Sequence, residues 1–369
     1  MSGRSRKVLI TVVVVAVVCA IAYRSRGILS LGDFSGTRLL HAMAGARISF
    51  FVAALALSYV GYLVRALRWQ RFCRLLGPTS LVNVYNAILM GFSAMFALGR
   101  AGEPIPPLLQ ARKNNLPVAN MFGLYVIERM FDLAGIAVLA AFGLMYFPAA
   151  SAAGADGQAW ETKVRATGGV MLVGFALVVA MVVYFRLHGA GVLDRYLVAW
   201  HEATGWRRRF AAQFAGFSEG LQAIRTFSDL LVAVFYTGVH WVIFTVVYLL
   251  IIRGFGVPLA GIGFAGSMLI LAFTMLGSAL QLPGVGGGAQ LASFVILTRM
   301  YAVPQEPAAA AAIVLWLITF AASCVGGVPL LIHEGWSMGD LRRMACAEAA
   351  AEEAGTHLTE VSGGTTSET

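Results

Sequence analysis

The sequence predicts an all-α, polytopic integral membrane protein, a helix bundle of about seven or eight spans with two re-entrant elements. Two observations carry that prediction. The chain is 59% hydrophobic and only 12% charged, with a mean hydropathy of +0.78, whereas a soluble domain is about one-quarter charged. Its 369 residues accommodate about eight apolar segments of roughly 20 residues with their connections, leaving no stretch of roughly 100 residues for a separate soluble catalytic domain. The net charge of +9 does not point to nucleic acid, because the Lys and Arg residues gather beside apolar segments rather than in a basic domain.

Residues 1–7 hold Arg4, Arg6 and Lys7 and are expected on the cytoplasmic side. Val8 to Ala22 is apolar, and Ala20-Ile-Ala22 resembles a signal-peptidase site. An uncleaved first span is expected over a cleaved signal peptide, since the spans that follow need no separate export signal. Ile48 to Leu67 is the second span, trailed by Arg65, Arg68, Trp69, Arg71 and Arg74. That cluster reads as a positive-inside stop with an interfacial Trp; capture of lipid phosphates is the sharper alternative.

Leu81 to Leu98 is apolar but short, with Asn83, Asn86, Gly91 and Ser93 inside it. Read as re-entrant, it keeps Arg112, Lys113 and the basic segment Arg186 to Arg225 on the cytoplasmic side. Val118 to Phe147 and Thr167 to Phe185 are the next spans, joined on the outer face by a Gly/Ala/Ser-rich loop with Asp156 and Glu161. Leu187 to Arg225 reads as an interfacial amphipathic helix pair.

Leu230 to Ile252 and Leu259 to Leu282 follow as spans. A Gly-rich break, Pro283-Gly-Val-Gly-Gly-Gly288, then leads to Ala289–Tyr301 and a last span, Ala308 to Ile332. Residues 8–333 thus form the membrane domain. The Glu/Gly/Thr/Ser-rich residues 334–369 form a cytoplasmic tail whose composition predicts disorder. One internal echo suggests an inverted repeat: a polar break, an amphipathic run, then Asn115-Leu-Pro117 or Ala302-Val-Pro304, then a long span.

The chemistry-bearing residues lie in the long apolar helix between Met121 and Tyr146, which contains Glu128, Arg129 and Asp132. A charge at bilayer depth costs roughly 2.5–3.5 kcal/mol on insertion scales, so such groups face a polar cavity, a charged partner or a substrate. Glu128 and Asp132 share a helix face, and Arg129 reaches Asp132 at i,i+3. Upstream, Arg100-Ala-Gly-Glu103 precedes Pro104, Pro106 and Pro107. Arg100 and Glu103 can pair within that loop or, with Arg129, form a patch for an anionic head group, for which the planar guanidinium is suited. A structural ion-pair network is the competing reading.

The run Pro283-Gly284-Val-Gly286-Gly-Gly288-Ala289 formally fits GxGxxA, but no βαβ unit flanks it and a dinucleotide site is excluded. Its glycines suit a sharp re-entrant turn or close helix packing. The pairs His201-Glu202 and His333-Glu334 lack the second His of a zinc helix, and His240-Trp241 reads as interfacial. Cys19, Cys73, Cys324 and Cys346 form no CxxC. No metal, cofactor or bond-making catalytic set is expected.

Gly99-Arg-Ala-Gly-Glu103 together with Glu128-Arg-Met-Phe-Asp132 resembles the flippase-like membrane family of the lysylphosphatidylglycerol synthase transmembrane region. Leu282-Pro-Gly-Val-Gly-Gly-Gly-Ala-Gln290 resembles that family's third motif, with Gln290 near where a Glu is common. The resemblance spans roughly residues 5 to 340. It implies a lipid-translocating membrane domain without the aminoacyl-transferring domain of the full synthases. The expected head-group site is Arg100, Gly102, Glu103, Glu128, Arg129, Asp132, Pro283, Gly284, Gly286 and Gln290. The expected partners are membrane lipids with anionic or zwitterionic head groups in the cytoplasmic membrane. A lipid-modifying transferase, or an assembly subunit of an envelope-lipid pathway, is the alternative.

Overall fold

A computed structural model describes residues 35–74, 76–146, 162, 166, 169–170, 173, 226–282, 286–337, 339–341 and 343. The expected first span Val8–Ala22, the outer loop with Asp156 and Glu161, most of Thr167–Phe185, the amphipathic segment Leu187–Arg225 and most of the tail lie outside the described residues.

A short helix, α1 (Gly36–Ala44), precedes α2 (Ile48–Cys73). Then come α3 (Leu81–Leu98), α4 (Ile105–Asn114) and α5 (Val118–Met145). After the undescribed stretch follow α6 (Phe227–Phe255), α7 (Phe264–Gly277) and α8 (Gly288–Arg299). The last are α9 (Gln305–Trp316) and α10 (Ser323–His333), joined by a π-helical turn, Leu317–Ala321. Among the described residues four helices are long and apolar enough to cross a membrane: α2, α3, α6 and the continuous α9–α10 rod. With 28 residues, α5 is about 42 Å long and also exceeds the roughly 30 Å hydrocarbon core. The chain is a multi-pass membrane protein.

The centre of the bundle is the antiparallel pair α2–α6. Arg47 N–H donates to the Gly254 carbonyl at one end at 2.8 Å, and Arg68 reaches Thr237 near the other. Between them Gly61 lies flat against Phe244: a Cβ there would stand 2.6 Å from the ring.

On either side of this pair the two halves repeat one arrangement. In the first, α3 and α4 form an antiparallel hairpin closed by a 3-10 turn, Gly99–Gly102. Asn83 Nδ2 donates to the Lys113 carbonyl and Gln110 Nε2 to the Val84 carbonyl, so both limbs end side by side. In the second, α7 and α8 form an equivalent hairpin, pinned by Thr274 and Ser293 at 2.6 Å. Its tip holds a 3-10 turn, Ser278–Leu280, and two paired two-residue strands, β1 (Gln281–Leu282) and β2 (Gly286–Gly287). The first hairpin opens toward the end where α2 finishes and the second toward the end where α2 starts. Their tips meet inside the bundle, where the Gly99–Gly102 turn lies against β1.

Each hairpin leads through the same device into its long helix. Among the described residues Asn115 and Ala302 are the non-glycine residues with positive φ, 53° and 50°. Each is followed two residues later by a proline, Pro117 and Pro304, where the long helix begins. Asn115 caps α4 in the left-handed conformation and Ala302 stands two residues past Met300, the cap of α8, while a proline in extended conformation precedes each long helix. The long helices then cross over: α5 packs on α7 of the second hairpin, and α10 on α3 of the first. A glycine sits at each crossing. A Cβ on Gly143 would stand 2.7 Å from Leu269 Cβ, and one on Gly327 would stand 2.7 Å from the Leu89 carbonyl carbon. The echo read in the sequence is present as this paired packing.

That crossing yields one prediction. Gly327→Ala is expected to destabilise the purified protein by roughly 1–3 kcal/mol, because the added methyl must push α10 off α3. Gly238→Ala, with nothing within 4 Å of its built Cβ, is expected to leave the midpoint unchanged or raise it slightly. Thermal unfolding of both variants in detergent distinguishes them; equal midpoints would refute the packing argument.

One expectation is corrected. Leu259–Leu282 is not one span: the chain turns until Gly263, α7 has 14 residues and is about 21 Å long, and the hairpin tip follows. Leu81–Leu98, with its Asn, Gly and Ser residues, is one continuous helix and the first limb of its hairpin. Gly91 admits Pro106 of α4, whose Cα would lie 2.9 Å from an added Cβ.

Candidate functional site

The charges of α5 meet two arginines from α2. Glu128, Asp132, Arg65 and Arg68 are 2%, 6%, 6% and 1% exposed. The i,i+4 spacing puts both carboxylates on the α5 face turned toward α2, and the i,i+3 spacing of Arg65 and Arg68 aims both guanidinium groups back at them. Asp132 is the hub. Arg65 Nη2 donates to its Oδ2 at 2.5 Å, Arg68 Nη2 to its Oδ1 at 2.8 Å, and Arg129 Nη2 lies 3.2 Å from its Oδ2. Glu128 takes Arg68 Nη2 at 3.2 Å, Arg129 Nη2 at 3.3 Å and Arg65 Nε at 3.4 Å.

The shell around this network is polar where it must be. Arg68 Nη1 donates to Thr237 Oγ1 at 2.7 Å, and Thr237 in turn donates to the Ala233 carbonyl. His240 Nδ1 sits 3.2 Å from the Gly61 carbonyl, and its ring packs tilted against Phe244 with centroids 4.8 Å apart. The guanidinium of Arg65 lies over the Phe92 ring at 5.0 Å and that of Arg129 over Tyr125 at 4.9 Å, favourable cation–π placements.

Within this cluster of five residues three arginines therefore face two carboxylates, and one positive charge is in excess. Arg129 is the least enclosed, with 36% of its side chain exposed. It lines a narrow cleft with Arg65, Trp69, Phe92, Pro106, Gln110, Tyr125 and Glu128. Among the described residues the buried Nε atoms of Arg65, Arg68 and Arg129 make no hydrogen bond, that of Arg65 being held by Glu128 as an ion pair at 3.4 Å. Excess positive charge beside a cleft is an arrangement that can attract an oxyanion; as it stands the cleft has room for only about 10 Å³, so a phosphate would enter only if the lining side chains part.

Of the residues named from sequence, Glu128, Arg129 and Asp132 form this cluster. Gly102 is buried at the first hairpin's tip, where a Cβ would lie 2.8 Å from Met95 Cα; glycine lets the turn fold back onto α3. Glu103 follows it on the exposed surface and, with Glu128, Arg129 and Arg65, lies within electrostatic reach of Tyr125. The backbone of Arg100 belongs to the tip; its side chain lies outside the described part. Pro283 and Gly284 also lie outside the described residues. Gly286 is in β2 at the second tip and Gln290 in the first turn of α8, so neither is in the charged cluster.

The sequence reading missed Arg65 and Arg68. The expected positive-inside stop is wrong for both, because α2 continues to Cys73 and keeps them inside the bundle. His240-Trp241 is likewise not interfacial. It lies thirteen residues into α6, roughly 20 Å along the helix, with both side chains buried.

The family described as the lysylphosphatidylglycerol synthase TM region matches residues 7–327. No curated protein matches the chain. The match covers the two hairpins, the charged helix and the arginine-bearing helix that holds it. The chain belongs to the lysylphosphatidylglycerol synthase transmembrane-region family.

Proposed function

We propose that the protein binds the phosphate of a membrane lipid's polar head group at the Arg129 cleft and carries that head group between leaflets of the cytoplasmic membrane. The observation carrying this reading is the charge count in the buried cluster: three guanidinium groups share the two carboxylates Glu128 and Asp132, and of the three Arg129 is the one exposed beside a cleft. A network serving only to hold helices together gains nothing from an unbalanced charge at this depth. Two hairpins that open to opposite ends and touch at their tips suit a gate with alternating access. In this reading both hairpins are re-entrant, and the end bearing Arg71, Arg74, Arg112 and Lys113 faces the cytoplasm. Arg129 and Arg100 take the phosphate, Glu103 contacts an amino group where the head group has one, and the tip around Gly286 and Gln290 closes the opposite side. The work is transport and no bond is made.

The test is reconstitution of the purified protein in liposomes with fluorescent phosphatidylglycerol and phosphatidylcholine, following each between leaflets by quenching from outside. Faster exchange of the anionic lipid than in protein-free liposomes is the expected result. Protein that is folded yet moves neither lipid would contradict the reading and favour an assembly role.

A further inference from the structure

The described surface also holds a larger cleft, away from the buried network. Helix α2 continues past Arg68 for another turn and presents Arg71 and Arg74 at its end, both exposed. With Gln70, Gly77, Pro78 and Thr79 they line a cleft of about 580 Å³, within the size range of small-molecule sites. Its walls are set in advance. Gln70 Nε2 donates to the Thr79 carbonyl at 3.0 Å and ties the loop after α2 back against the helix. Leu116 packs under Gly77 from the turn that follows α4. Among the described residues no carboxylate pairs with Arg71 or Arg74 and none lines the cleft, in contrast with Arg65 and Arg68 three and six positions earlier. Basic residues at a helix end complement its dipole, but that role needs no fixed loop opposite two free guanidinium groups. Each step from Arg68 to Arg71 to Arg74 moves about 4.5 Å along one helix, so the cleft lies one to two turns beyond Arg68, on the exposed side of the helix end.

We propose that this cleft is a docking site for a phosphate ester, the head group of an anionic lipid at the membrane face, from which the lipid passes to the Arg129 cleft. The proposal rests on the translocation reading but is testable without it. The probes are short-chain phosphatidylglycerol and soluble glycerol phosphate, titrated calorimetrically into detergent-purified protein at low and high salt. To separate the two clefts, the reference protein is Arg129→Gln, compared with the same protein also carrying Arg71→Gln and Arg74→Gln.

The Arg129→Gln protein is expected to retain salt-sensitive binding of phosphatidylglycerol, and adding the Arg71 and Arg74 changes is expected to weaken it at least about tenfold, as for loss of charge-assisted hydrogen bonds. Both arginines are exposed, so the substitutions are expected to leave the elution volume and unfolding midpoint unchanged. Glycerol phosphate binding as tightly as the lipid would identify the phosphate ester alone as ligand; markedly weaker binding would identify the membrane-held head group. Equal lipid binding with and without Arg71 and Arg74 overturns the proposal. If binding depends on them while the wild-type protein moves no lipid, the docking site stands and the translocation reading falls.

Discussion

Asp132→Asn is expected to destabilise the protein more than any other single change in the charged cluster, by roughly 3–5 kcal/mol, as when a buried ion pair loses one member. Asp132 contacts all three arginines, Arg65, Arg68 and Arg129, between 2.5 and 3.2 Å. Its neutralisation leaves three guanidinium groups on Glu128 alone, at a depth where water cannot compensate them. Arg68→Met provides the contrast. Arg68 is the more completely buried of the two, yet its removal leaves two arginines on two carboxylates. Counting side-chain burial alone predicts that Arg68→Met is worse; counting charge predicts that Asp132→Asn is worse. Thermal unfolding in detergent decides the order, and a lower midpoint for Arg68→Met would refute the charge argument.

Arg129→Gln is expected to slow movement of anionic lipid by roughly ten- to hundredfold, since one charge-assisted hydrogen bond contributes about 1.5–3 kcal/mol. The fold is expected to persist, because Arg65 and Arg68 still neutralise Glu128 and Asp132 after the change. Arg129→Lys keeps the charge but loses the planar fork that grips two phosphate oxygens, and an intermediate rate is expected. Leaflet exchange in liposomes, with unfolding midpoints measured on the same preparations, reads both. A folded Arg129→Gln protein with the wild-type rate would remove this residue from the site.

Part of this was legible in the residues. Glu128, Arg129 and Asp132 stand out because any charge in so apolar a helix needs a partner. Asn115-Leu-Pro117 and Ala302-Val-Pro304 mark matching corners because proline restricts the residue before it and starts a helix. Arg65 and Arg68 were hidden by their neighbours: with Arg71 and Arg74 they make one basic run, and a run at the end of an apolar stretch has the same appearance whether the helix stops or continues. The usable signal was spacing, since an i,i+3 pair of arginines matches an i,i+4 pair of carboxylates elsewhere in the chain. The turn before Phe264 was hidden for a different reason. The residues from Leu259 are uniformly apolar, and hydropathy does not register where the backbone bends. Nor could spacing show that the hairpins open to opposite ends, which depends on the antiparallel packing of α2 and α6.

The central claim is that Arg129, which shares Glu128 and Asp132 with two other arginines, grips a lipid phosphate. Its most direct test is a solid-state NMR distance measurement, with arginine carrying ¹³C and ¹⁵N in protein reconstituted into phosphatidylglycerol liposomes. Dephasing of guanidinium signals by lipid ³¹P reports contacts of the kind a bidentate pair makes, with nitrogen–oxygen separations of about 2.7–2.9 Å. The account predicts a dephased guanidinium signal that is present in the wild-type protein and missing from Arg129→Gln. Identical dephasing in the two proteins, or none in either, would contradict it.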